Sequence, residues 1–261
     1  MPRPAISVVV TTHDRRELCR RAIASALAQD PPPLEVVVAD DASTDGTRPM
    51  LEAWARDEPR LRVLDPAPPA GRPAPGRNRA VAAAAGDWVA FLDDDDEWLP
   101  GKLAAQIERI EPGVAMVGTN AVDDAGRPYF PGAPAVARPS RADVIRGNPL
   151  ILSSVLARRD VVVAAGGFPQ EPWLAGIEDY ALWLEAADAG APIVVLGAPW
   201  VRYTAHGDDR LSRRAAANEV AVARLFWRRW WRDRSDLGLR RAALSRTSYA
   251  LTIARQALVG R

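Results

Sequence analysis

Three short apolar runs most constrain this chain: residues 6–10 (ISVVV), 36–39 (VVVA) and 88–92 (WVAFL). Each is rich in β-branched or aromatic residues without polar alternation, as expected of strands buried on both faces. Each also ends abruptly in polar residues. Helical spacing fills the gaps: Leu18, Ala22, Ala26 and Leu27 recur before the DPPP stop at 30–33, and Leu51 and Trp54 mark a second helix. A third strand is predicted at 61–64. An irregular loop follows at 65–76, where five of twelve residues are proline, then helices at 80–85 and 99–110, the last opened by Pro100. Strand and helix alternating at this interval predict right-handed βαβ units, hence an α/β fold with a mostly parallel central sheet flanked by helices. Ligands of such sheets bind beyond the carboxyl ends of the strands, so the clusters at 11–14, 40–46 and 93–97 should share one rim.

The second half is less regular. Strands are expected at 114–119, 151–156, 193–196 and 200–203, a turn at Gly166-Gly167-Phe168-Pro169, and a helix at 179–189 closed by Gly190. Beyond Leu211 the pattern is helical. The 261 residues divide on this reading into a core domain at 1–211 and a helical C-terminal extension at 212–261. The core's halves would be 1–112 and 113–211.

Composition bounds the functional classes. Forty-eight per cent apolar and 26% charged residues describe a core-forming chain and exclude a disordered one. Net charge is +1, yet residues 212–261 hold 12 arginines against Glu219, Asp233 and Asp236, a net of +9, which leaves −8 for the preceding 211 residues. An acidic body argues against nucleic-acid binding, which needs positive charge around the working cleft. The extension interleaves Phe226, Trp227, Trp230 and Trp231 with arginines, a pattern that suits packing on a core or in a homodimer, or peripheral contact with an anionic membrane. One cysteine, Cys19, fits a reducing compartment; the first apolar run is too short for a secretory segment and no run of eighteen apolar residues occurs. A cytoplasmic protein is expected, at most peripheral at the inner face of the membrane.

The chemistry-bearing clusters carry more. Asp93-Asp94-Asp95-Asp96 follows a buried strand, and four adjacent carboxylates repel one another unless a cation sits among them. Hard ions such as Mg²⁺ or Mn²⁺ take carboxylate and phosphate oxygens; a solvated acidic loop is the plainer alternative. Asp41, Ser43, Asp45, Gly46 and Glu52 match a calcium-loop spacing, but a strand stands where that motif needs a helix, so a turn that caps the next helix is the better reading. Glu178-Asp179 opens a helix and is either a dipole-stabilised pair or the home of a general base. His206 is either a loop histidine or one metal ligand, and His13 is structural or lines the rim. Nucleophile-elbow, P-loop and dinucleotide fingerprints are absent.

In order, ISVVVTTHDR, EVVVADDASTDGT, GRNRAVAAAAGDWVAFLDDDDEWLPGKL, AGGF and EDYALWLEAADAG resemble the family 2 glycosyltransferases, over about residues 5–212. The resemblance implies the GT-A fold, with the nucleotide in the first half and the acceptor in the second. It implies a metal-dependent, inverting transfer from a nucleotide-diphosphate sugar, UDP foremost, to a hydroxyl of a glycan, lipid-linked sugar or small molecule. By the same resemblance Thr11 and Asp41 line the nucleobase pocket with Asp14 nearby, and Arg77 lies near the donor's phosphates or sugar. Asp93 and Asp95 form the D-x-D pair for Mg²⁺ or Mn²⁺, Asp94 faces ribose or sugar hydroxyls, and His206 matches a metal or diphosphate contact. Asp179 is the catalytic base and Glu178 its orienting neighbour. The competing functions are an inactive sugar-nucleotide-binding or calcium-binding domain, and a sugar-phosphate nucleotidyltransferase, whose glycine-rich phosphate loop TTHDRREL lacks.

Overall fold

The computed structural model describes residues 3–204 and 215–247. The first half follows the expected alternation: β1 (Ile6–Thr12), α1 (Arg16–Leu27), β2 (Glu35–Asp40), α2 (Thr47–Asp57), β3 (Leu61–Val63), α3 (Pro73–Ala83), β4 (Trp88–Asp93), β5 (Glu97–Trp98) and α4 (Lys102–Ile107). The second half comprises β6 (Met116–Val122), β7 (Val136–Ala137), α5 (Arg141–Arg146), β8 (Leu156–Arg158), α6 (Arg159–Ala164), α7 (Glu178–Asp188), β9 (Ile193–Arg202) and α8 (Ala215–Arg232). Residues 237–247 are helical again after a turn.

The strands form one sheet in the order β3-β2-β1-β4-β8-β6-β9-β5, with β7 against β9. β3, β2, β1 and β4 run parallel, as do β6 and β9, while β8 enters antiparallel between β4 and β6. Alternate residues of each buried strand feed opposite faces. Val8, Val10, Val36 and Val38 pack with Cys19, Ile23 and Leu51 beneath α1 and α2. Val9, Val37, Val89 and Phe91 join Ala80, Phe168, Trp183 and Phe226 on the other side. Phe91, Phe168 and Trp183 meet there with centroids 5.1 to 6.3 Å apart.

The structure departs from expectation where local signals mislead. α3 begins at Pro73, inside the stretch expected to be irregular, because prolines in a first turn forfeit only N–H groups that have no helical partner. The helix expected at 99–110 is the six-residue α4, entered through Gly101 at φ 88° and preceded by β5, where Trp98 pairs with Val201. Residues 152–154 form a 3-10 turn ahead of the short β8. The strands expected at 193–196 and 200–203 are one strand, whose register against β6 shifts around Asn120.

The basic extension folds onto the body through α8. Phe226 is fully buried, Tyr180 meets it edge-on at 6.2 Å, and Trp227 and Trp230 pack against the same core. Arg229 is buried and binds Glu185 at 2.5 Å and Asp188. Trp231 stays 61% exposed.

Candidate active site

Parallel pairing brings the strand tips together: Thr11 stands opposite Ala39 on one side and Asp93 on the other. The loops beyond β1 and β2 are then laced to each other. Asp14, at φ 49°, accepts from the Thr44 amide at 2.6 Å, and its own amide donates to Ser43 Oγ at 2.9 Å. His13 Nδ1 lies 2.8 Å from the Asp41 carbonyl, placing the exposed imidazole on the rim. Asp41 accepts from the amides of Ala70 and Gly71 at 2.7 and 2.8 Å, so its carboxylate anchors the proline-rich loop beside the β2 tip. Thr11 lies under α3, where a Cβ on Gly76 would come within 2.9 Å of its methyl group.

The calcium-loop spacing has another use. Asp45 accepts from the amide and hydroxyl of Thr47 at the start of α2 and from the Arg16 amide, Ser43 binds Asp40, and Glu52 pairs with Arg48.

The four carboxylates after β4 divide into two kinds. Asp94 and Asp96 are buried, whereas Asp93 and Asp95 are partly exposed. Asp96 accepts from Ser153 Oγ at 2.5 Å and the Thr204 amide at 3.1 Å, and Ser153 Oγ accepts in turn from the Asp93 amide at 3.0 Å. Burial, then the charges of Asp93 and Asp95, hold the Asp96 carboxyl well above the usual range. Burial also pushes Asp94 up, opposed by Arg15. Arg15 Nη1 reaches Asp94 at 2.9 Å and Asp95 at 2.6 Å. Asp94, expected to face ribose or sugar hydroxyls, is thus buried against the Arg15 guanidinium.

Arg77, expected near the donor's phosphates or sugar, is engaged by carboxylates of the protein. It is 6% exposed, lies over the Phe168 ring, and gives Nη1 to Glu178 at 2.7 Å and Nη2 to Asp93 at 2.6 Å. Burial works against its charge, but Asp93 and Glu178 more than offset this and hold its pKa up. Next along α3, Asn78 clasps the backbone of Phe168, donating to its carbonyl at 2.7 Å and accepting from its amide at 2.8 Å. Gly167, at φ 70°, allows that approach, since a Cβ there would sit 2.6 Å from Asn78 Oδ1. GRNRA and AGGF thus meet in space.

Glu178 also accepts from the Gly176 amide at 2.6 Å. Asp179, partly exposed, accepts from the Tyr180 amide at 2.7 Å. Desolvation first, and the Glu178 charge second, push its carboxyl up to about 7. This gives a carboxylate able to take a proton near neutrality.

The carboxylate oxygens of Asp93 and Asp95 are a hard donor set that fits Mg²⁺ or Mn²⁺ with the remaining ligands supplied by phosphate and water. Among the described residues no three His, Cys, Asp or Glu side chains converge as a cation cage. His206 lies outside the described residues. Arg15 closes the run ISVVVTTHDR, and Ser153 lies in the 148–154 stretch expected to line the acceptor pocket, but neither was expected to bind these carboxylates. A groove lined by Trp88, Ile110, Arg158 and Asp160 opens at the amino end of β4, away from these groups.

Comparison with known proteins matches this architecture. The family model described as Glycosyl transferase family 2 matches residues 7–156, more than half of the chain. A putative teichuronic acid biosynthesis glycosyltransferase, TuaG of Bacillus subtilis, is 37% identical over 106 residues, 41% of this chain and 42% of that protein. A GalNAc(5)-diNAcBac-PP-undecaprenol beta-1,3-glucosyltransferase of Campylobacter jejuni is 35% identical over 117 residues, 45% of this chain and 38% of that one. The match thus spans about two fifths of each of these relatives. Among solved structures, mannosyltransferase PcManGT from Pyrobaculum calidifontis, in complex with GDP-Man and Mn²⁺, superposes with a TM-score of 0.68 at 23% identity, covering 98% of this chain and 76% of that one. S. aureus TarS 1-349 in complex with UDP-GlcNAc gives 0.67 at 23%, covering 85% and 65%. These likenesses show the fold, that of GT-A glycosyltransferases.

Proposed function

Because the chain belongs to glycosyl transferase family 2, we propose that it moves a sugar from a nucleotide-diphosphate donor, a UDP-sugar foremost, to an acceptor hydroxyl with inversion. The observation that carries this reading is the Arg77 bridge, which joins the acidic end of β4 to the Glu178-Asp179 pair at the start of α7. Asp179 takes the proton of the acceptor hydroxyl. The freed oxygen pair forms a bond to the anomeric carbon from the face opposite the diphosphate, the bond to the diphosphate oxygen breaks, and the nucleoside diphosphate leaves. A single displacement with one base inverts the centre.

Asp93 and Asp95 are the residues that would hold a divalent cation, with His206 a further candidate. When bound, such an ion neutralises the charge that develops on the leaving diphosphate. Arg15 and Arg77 keep the surrounding carboxylates from repelling one another. Thr11, Asp14 and Asp41, with the loop that Asp41 anchors, form the wall against the nucleobase.

Calorimetric titration with UDP in the presence of Mn²⁺ tests the reading directly. Micromolar to millimolar binding is expected, and absence of heat with UDP, GDP and dTDP alike would remove it.

We place the reaction in the cytoplasm. Among the described residues no helix is long and apolar enough to cross a membrane. The exposed Trp231, with Arg234 3.7 Å over its ring, supports contact of the extension with an anionic membrane surface or with a second copy. Sedimentation with anionic vesicles and sizing in solution separate those two.

A further inference from the structure

Between β6 and β7 the chain makes an excursion whose return is rigidly held. Asp123 Oδ1 accepts from the amides of Ala125 and Arg127, and Val122 bridges to Pro128. The Tyr129 amide donates to Ala121 at 2.9 Å, and Asn120 clasps the backbone of Phe130 with two 3.0 Å hydrogen bonds. Despite this anchoring, Tyr129 is 54% exposed. Phe130 and Tyr203 meet it edge-on, with centroids 5.0 and 5.6 Å away. A single exposed aromatic is ordinary on a protein surface; one whose backbone and ring are both fixed has little freedom left to lose on binding a ligand.

Its position gives it meaning. Tyr203 donates its amide to Val122 at 2.7 Å, and the next residue, Thr204, donates to Asp96 at the end of the acidic run. Partial desolvation raises the pKa of the Tyr129 phenol and burial that of Tyr203, helped at Tyr129 by the charge of Asp179 and at Tyr203 by those of Asp96, Asp93 and Asp95. The Thr204–Asp96 bond and the Tyr129–Tyr203 contact therefore set the aromatic pair beside the acidic run, and the steps above use neither ring.

We infer that Tyr129, backed by Phe130 and Tyr203, is the platform on which a pyranose ring of the acceptor stacks, so that the acceptor hydroxyl belongs to a sugar. The inference rests on the reading of Asp179 as the base. A pyranose offers one face of C–H groups ringed by hydroxyls. An aromatic face matches the former and leaves the latter free to reach a carboxylate. A small aliphatic alcohol would gain little from such a surface.

The test uses the full chain with Mn²⁺ and UDP, and saturation-transfer NMR with four methyl pyranosides (gluco, galacto, manno and N-acetylglucosamine) beside glycerol. At least one glycoside should receive saturation on its ring C–H protons, and glycerol should not. Tyr129→Ala should weaken that glycoside about fivefold, and Tyr129→Phe should retain it, with UDP affinity the same in all three proteins. Equal glycoside binding by wild type and Tyr129→Ala would overturn the platform, as would a wild type that binds UDP and no glycoside. A wild type that binds no nucleotide would instead sink the donor reading, and the platform with it.

Discussion

Asp93 and Glu178, one at the tip of β4 and one at the start of α7, share a single guanidinium: Arg77 gives Nη2 to the first at 2.6 Å and Nη1 to the second at 2.7 Å. Arg77 and Glu178 are nearly inaccessible to water, and beyond this ion pair Glu178 keeps only the Gly176 amide as a partner among the described residues. Truncating Arg77 to Ala would strand Glu178 as a buried, unpaired carboxylate, at a cost of about 3 to 5 kcal/mol. Lysine should not rescue it, because one ammonium cannot fork between two carboxylates as a planar guanidinium does. Urea unfolding of the two variants measures this, and a wild-type midpoint for Arg77→Lys would contradict it.

The division of labour among the carboxylates predicts two distinct failures. Asp95→Ala should lose Mn²⁺-dependent UDP binding and transfer together. Asp179→Asn should bind UDP as wild type does and lose transfer by about 10² to 10⁴-fold, the usual contribution of a positioned base. Calorimetry paired with product assays separates the cases; full transfer by Asp179→Asn would remove it as the base.

The proton affinity of Asp179 sets a pH profile. Its carboxyl is pushed up to about 7, by desolvation first and Glu178 second, and only the ionised form can accept a proton. The rate of transfer should therefore rise as pH passes upward through about 7 and level off above it. Folding has the opposite sign. The native state holds this proton more tightly than the unfolded chain, so the stability it contributes is complete at low pH and is lost as pH climbs through the same value. Glu178→Gln removes the second cause and should move the rise in rate to lower pH, while its amide oxygen can still accept from Arg77. A profile that does not move would deny the coupling between the two neighbours.

Much of this site was legible because its parts are local. Buried parallel strands must read as β-branched runs, and their tips must be polar where they meet a ligand, so Thr11, Asp41 and Asp93 stood out with their neighbours. What stayed hidden was set by tertiary contact. Arg15 looks like any polar residue at a helix start, yet it lies on Asp94 and Asp95. Ser153 sits in an apolar stretch and is identified only by Asp93 and Asp96 converging on its hydroxyl. Arg77 could be assigned to the site but not to its partners, because Glu178 approaches it from the other half of the fold. Pro73 and Pro75 read as breakers when taken alone, whereas a first helical turn tolerates both.

The extension offers a last test, because α8 completes the core and does not merely trail from it. Phe226 is fully buried among Tyr180 and its neighbours, and Arg229, itself buried, ties α8 to the end of α7 through Glu185, Asp188 and the Leu184 carbonyl. Glu185 and Asp188 are partly exposed and regain water when Arg229 is cut to Ala, so the cost should be moderate, about 1 to 3 kcal/mol. Phe226→Ala leaves an apolar cavity and should cost about 3 to 5 kcal/mol. A chain ended after Arg214 loses both contacts at once and exposes the Tyr180 face of α7, so it should unfold without a cooperative transition. Urea titration followed by tryptophan fluorescence decides the matter: a truncated chain with a wild-type midpoint would make residues 212–261 an appendage after all.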